Sequence, residues 1–148
     1  MKIKRRHSGQ SLVEFALIFP LVFFLITGFL DLGRAVFYYS SLTNAVREAT
    51  RYAVVYKTEI TYAFNNPTLD LDNLLKNKVM EYAFGITLDR ADIDVTFPPK
   101  VNDYFPTVSI EAKYLYKPIT PGMKELFGST EGISITAHSI MLISPGSR

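Results

Sequence analysis

Side chains able to do covalent or acid–base chemistry are few in this chain of 148 residues and badly spaced for it. Cys is absent, which removes thiolate nucleophiles, thiolate metal sites and disulfide staples while leaving the compartment open. A catalytic centre needs a nucleophile, a base and an orienting group, or a metal cluster. The histidines are His7 and His138, and His138 has neither a second nearby His nor any Cys to complete a transition-metal set. It stands beside Ser139 in a stretch of alternating polarity, where a histidine reads as a solvated or packed strand residue. Asp70 with Asp72, and Asp92 with Asp94, are carboxylates two apart. The first pair suits the positive end of a helix and the second the wet face of a strand, and a calcium loop would need more oxygen donors in a short span. No phosphate-cradling glycine loop and no nucleophile motif occurs. The residues predict no enzyme, no metal and no cofactor.

The one carboxylate in an unusual setting is Glu14, at the start of a long apolar run. Before it come Lys2, Lys4, Arg5 and Arg6, then Gly9 and Gln10; after it no charged residue occurs from Phe15 to Leu30. At ~1.5 Å per residue a helix over Leu12–Leu30 covers roughly 28 Å, close to the ~30 Å hydrocarbon core of a bilayer. Positive charge on the N-terminal flank alone predicts a cytoplasmic N-terminus. A buried helix of a soluble domain would have to enclose Phe15, Phe19, Phe23, Phe24 and Phe29 on all faces, which a small core does not do. A secretory signal peptide shares the basic head, and Gly33-Arg34-Ala35 has a small-x-small form, but the run is long, Glu14 interrupts its start, and Asp31 and Arg34 crowd the cleavage point. A plain anchor explains the run but neither Gly9 nor Glu14, because a carboxylate inside an apolar segment is costly. Pro20 removes one backbone donor from this helix and predicts a kink or a loosened turn there.

Beyond the run, the net charge of +2 proves to be a property of the head: removing residues 1–9 would bring it to −2. The remaining charges of both signs are interspersed, with no basic stripe for nucleic acid. Asp31 and Arg34, spaced i,i+3, are expected to pair as the helix leaves lipid. The helix is expected to run on to Tyr56, because Phe37, Leu42, Ala45, Val46, Ala49, Ala53 and Tyr56 recur at three and four residues, opposite Thr43, Asn44, Arg47, Glu48 and Arg51. Ala45, Ala49 and Ala53 form a small-residue ridge that admits close backbone approach, by the chain's own domain or by another subunit.

After a turn signal at Asn65-Asn66-Pro67, a second helix is expected over Leu69–Phe84, with Asp70 and Asp72 at its positive end and Gly85 as its cap. The period then becomes two, predicting strands at Ile93–Phe97, Val108–Tyr116 and Ile133 to about Ile143, the first stopped by Pro98-Pro99. Residues 117–132 form a long connection holding Met123, Leu126 and Phe127, either anchored on the core or exposed for docking, with room for a helical turn. The tail Ser144–Arg148 reads as frayed. The fold class is α+β: a long N-terminal transmembrane helix continuing as the spine of a small outer domain, a second helix and a three-stranded antiparallel sheet. The divisions are a leader at 1–9, a transmembrane helix at 10–32 and an extracytoplasmic domain at 33–148.

Gly9 followed by Gln10, with Glu14 at the fifth position after the glycine and an apolar helix beyond, resembles the processing site of type IV prepilin-like proteins. Gln10-Ser11-Leu12-Val13-Glu14-Phe15-Ala16-Leu17, Pro20, Asp31-Leu32-Gly33-Arg34-Ala35 and Leu42-Thr43-Asn44-Ala45-Val46-Arg47-Glu48-Ala49 together closely resemble TadE-like pseudopilins of the tight-adherence (Flp) pilus machinery, over about the first 55 residues. The resemblance implies a pilin-like fold and cleavage after Gly9 by a prepilin-type aspartyl peptidase on the cytoplasmic side, which would discard His7 with the leader. It implies that Glu14 meets the new ammonium of Gln10, of its own chain or of a neighbouring subunit, and that Asp31, Gly33, Arg34, Asn44, Arg47 and Glu48 are family-motif residues. The implied partners are the peptidase, other pseudopilins and pilus-machinery subunits in homo- or hetero-oligomers through the N-terminal helix, and the lipid bilayer. The implied place is the bacterial cytoplasmic membrane, single-pass, with the C-terminal domain periplasmic or extracellular. A different class remains open: a bitopic ligand- or substrate-binding protein with an uncleaved tether.

Overall fold

The computed structural model describes residues 8–56, 70–97, 107–126 and 131–143. The basic head up to His7, the Asn65-Asn66-Pro67 turn, the Pro98-Pro99 stop, Phe127 and the tail from Ser144 lie outside the described residues. Helix α1 spans Ser8–Val55, 48 residues, and passes through Pro20 as one element. Helix α2 covers Leu71–Tyr82, a 3-10 turn covers Arg90–Asp92, and strands β1 (Ile93–Thr96), β2 (Thr107–Tyr116) and β3 (Ile133–Leu142) follow, with a short helix α3 (Met123–Leu126) between the last two.

The strands form one antiparallel sheet in the order β1-β2-β3. Its register sets Ile93 against Ala112 and Tyr116 against Ile133. Because side chains alternate across a strand, this register puts Val108, Ile110, Ala112 and Tyr116 of β2 and Ile135 and Ala137 of β3 on one buried face. The outer half of α1 and α2 cover that face. Leu42, Ala45, Val46, Ala49 and Ala53 are fully buried there, so the alanine ridge admits the chain's own domain. Complete burial of Leu42, Leu75, Ile93, Val108 and Ile110 contributes about 1.5–3 kcal/mol per side chain.

Two members of the expected stripe, Phe37 and Tyr56, are exposed instead. Phe37 borders an open cleft with Ser41 and Phe84, and Tyr56, one residue past the end of α1, stacks on Tyr52 with ring centroids 4.5 Å apart. Thr50, by contrast, is buried in the stripe; its hydroxyl donates to the carbonyl of Val46 at 2.6 Å and needs no other partner. Helix α2 starts two residues later and ends two earlier than its pattern, because Asp70 is the N-cap, accepting from the Asn73 amide at 3.2 Å, and Ala83 is the C-cap. Gly85, with φ of 74°, takes the left-handed turn two residues beyond that cap rather than forming it.

Candidate functional site

The N-terminal end of α1 carries Gly9, Gln10 and Glu14. All three are exposed, and an added Cβ on Gly9 would meet nothing within 4 Å. The spacing of four puts Gln10 and Glu14 on one helix face, and the Gln10 side-chain amide donates to Glu14 Oε1 at 3.2 Å. Phe15, Phe19 and Phe23 form a ladder of their own on a different face of the helix, with centroid separations of 5.7 and 6.2 Å. From Leu12 to Leu32 the large apolar side chains of α1 are open to the surroundings. A helix this long and apolar is a candidate membrane anchor.

At the outer end of that apolar run stands Asp31, and it does far more than pair with Arg34. Its side chain is only 3% exposed. The Tyr116 hydroxyl donates to its Oδ1 at 2.9 Å and sits 3.0 Å from its backbone carbonyl oxygen. The amides of Ile119 and Thr120 donate to its carboxylate at 3.0 and 2.7 Å. Arg34 approaches at 3.4 Å and also lies over the Tyr38 and Tyr116 rings. Tyr38 packs against Tyr114 and Tyr116 with centroids 5.3 and 5.6 Å apart. Burial pushes the Tyr116 hydroxyl up to about 12, and its bond to the Asp31 carboxylate adds to that by favouring the protonated phenol. One carboxylate thus ties the end of β2 and the following loop onto α1.

The remaining motif residues are not brought to Asp31. Gly33 lies on α1 with nothing within 4 Å of an added Cβ. Asn44 borders a shallow cleft with Ser41 and Phe84, where the Ser41 hydroxyl donates to the Phe84 carbonyl at 2.7 Å. Arg47 is exposed, and Glu48 pairs loosely with Arg51 at 3.7 Å. Asp31 and Asn44 are about 20 Å apart along the helix at ~1.5 Å per residue. Tyr116, Ile119 and Thr120, the partners of Asp31, carry no sequence mark of that role; Pro118, Pro121 and Gly122 around them signal a tight loop without saying where it docks.

Among the described residues no group of three His, Cys, Asp or Glu could hold a metal ion. His138 Nε2 meets Ser109 Oγ at 3.0 Å on the open face of the sheet.

An exposed apolar helix running on into a small α+β domain that clasps its outer end is the architecture of a candidate single-pass membrane protein. The family model described as TadE-like protein matches residues 9–51, starting at Gly9 and ending within α1, which is consistent with a TadE-like protein of the tight-adherence pilus system. No curated protein and no solved structure matches the chain.

Proposed function

We propose that this protein is a minor pseudopilin of a tight-adherence type secretion and pilus system, processed between Gly9 and Gln10 and held in the cytoplasmic membrane by the first part of α1. The observation that carries this reading is the family match over residues 9–51, which begins on the glycine of the Gly9–Glu14 element. The open surroundings of Gly9 and the shared face of Gln10 and Glu14 support it, because a peptidase needs access to the first and a new ammonium needs a carboxylate within reach. In this reading the leader stays cytoplasmic, residues 10–32 span the bilayer, and residues 33–148 face the periplasm or cell exterior. Glu14 then pairs with the N-terminal ammonium of a neighbouring subunit, and within lipid an uncompensated charge makes that pairing strongly preferred. The role is structural, priming or supporting a pilus used in adhesion, with the prepilin-type peptidase and other pseudopilins as partners.

Intact-mass measurement of the membrane-extracted protein tests the reading. Loss of residues 1–9, abolished by Gly9→Ala, is the expected result. A full-length chain in the membrane would favour the tethered binding protein instead.

A further inference from the structure

The loop held by Asp31 reaches back along α1 into the uncharged run. Met123 Cε lies 3.8 Å from the position of a Gly28 Cβ, and Gly28 precedes the end of that run at Leu30. Two apolar grooves flank this contact. One, of about 310 Å³, is bounded by Phe24, Phe29, Leu32, Met123 and Ile133. The other, of about 360 Å³, lies between Leu21 and Leu25 on the helix and Pro121 and Gly122 on the loop. Ile119 is 71% exposed beside them.

We propose that the segment 118–123 is a second membrane contact, seated in the outer leaflet against Leu21–Leu32, and that the grooves beside Met123 hold the acyl chain of an outer-leaflet phospholipid. This rests on the reading of α1 as a membrane anchor. Three observations favour a lipid over a protein occupant. The groove walls are the same exposed side chains, Phe24, Leu25, Phe29 and Leu32, that form the lipid-facing surface of the anchor, so the grooves are continuous with that surface. A loop at hydrocarbon depth must satisfy its backbone groups internally. The Asp31 carboxylate does this for Ile119 and Thr120, whose amides would otherwise be stranded. Arg34, one helical turn beyond Asp31, is partly exposed, and Lys117, next in sequence to the Asp31-bound Tyr116, is exposed, so both are available to phospholipid phosphates. Burial of Ile119, Pro121 and Met123 in the leaflet fixes the tilt of the sheet over the membrane.

The chain contains no Trp, so single-tryptophan reporters can be placed at will. The full chain is reconstituted at low protein-to-lipid ratio in phosphatidylcholine vesicles containing phosphatidylcholine brominated at shallow or deep chain positions. Phe19→Trp reports the anchor. Met123→Trp reports the groove, with Ile119→Trp as a second loop position whose exposed side chain makes no packing the fold needs. Leu142→Trp reports the far end of the sheet, about 30 Å from Tyr116 at ~3.3 Å per residue. The expected result is several-fold quenching of Met123→Trp and Ile119→Trp by the shallow bromines, strong quenching of Phe19→Trp by the deep ones, and none for Leu142→Trp. If both loop reporters behave like Leu142→Trp while Phe19→Trp is quenched, the lipid contact is overturned and the anchor stands; a groove filled by a second copy gives this same result. If Phe19→Trp is also unquenched, both fall.

Discussion

The hydroxyl of Tyr116 donates to Asp31 Oδ1 at 2.9 Å, joining the last residue of β2 to the outer end of the apolar run across 85 positions of sequence. This contact, with the two loop amides on the same carboxylate, couples the orientation of the α+β domain to the apolar part of α1.

Replacing Asp31 by Asn keeps the shape but removes the charge and leaves the amides of Ile119 and Thr120 with a weaker acceptor. Hydrogen bonds to charged groups are worth about 1.5–3 kcal/mol each, and buried pairs broken on one side cost about 3–5 kcal/mol, so a loss of about 2–4 kcal/mol is expected. Tyr116→Phe removes one donor and should cost about 1–2 kcal/mol. Denaturant unfolding in detergent measures both, and hydrogen exchange should show the Ile119 and Thr120 amides losing protection in Asp31→Asn while β1 pairing is retained. Unchanged protection there would refute the clasp.

Stability should fall at alkaline pH through Tyr116. Its folded value is raised to about 12, by burial first and then by the Asp31 bond, against about 10 in the unfolded chain. The unfolded state therefore loses its proton first, so the contribution is fully present below pH ~10 and disappears as pH rises from ~10 to ~12, at up to ~1.4 kcal/mol per pH unit. Tyr116→Phe should be less stable at neutral pH but lack this component of the decline, and the difference between the two stability curves isolates it.

The alanine ridge predicts a sharp contrast along one helix. Ala49 is fully buried against the chain's own domain, and Ala49→Leu should destabilise by about 1–3 kcal/mol through overpacking. Arg47→Ala, on the exposed face, should stay within about 0.5 kcal/mol. Thermal unfolding of the two variants tests the packing; equal effects would place the ridge elsewhere.

Gly132 immediately precedes β3 beside the end of β2, where an added Cβ would stand 2.6 Å from the Tyr116 carbonyl oxygen. Gly132→Ala must separate the end of β2 from the chain entering β3, so a loss of about 1–3 kcal/mol and weakened protection at Ile119 are expected. Circular dichroism melts and exchange at Ile119 provide the readout.

Glu14→Leu is expected to insert and be cleaved normally yet fail to enter an assembly, because its partner charge would be left unpaired. Pull-down of the machinery subunits with a tagged mutant checks this, and wild-type incorporation would overturn the assembly role.

Local chemistry was enough to specify much of this protein. The basic head, the uncharged run to Leu30 and the family segments point to a candidate anchor and to the TadE-like resemblance, because hydropathy and helix period act within a few turns of chain. Alternation placed the strands at Val108–Tyr116 and at Ile133 to about Ile143, each within a residue of the strand observed, since one face of each had to be buried. The i,i+3 spacing of Asp31 and Arg34 predicted a pair, but that pair is the weaker part of what Asp31 does. Its donors come from residues 116–120, and no periodicity relates positions so far apart. The return of that loop depends on the sheet's register, on the length of β2, and on α1 standing against the same face. Sequence therefore determined a long apolar helix with an acid at the end of its uncharged run; only the tertiary packing turned that acid into the clasp on Tyr116 and its loop, because a buried carboxylate needs several donors, which no single stretch of this chain supplies.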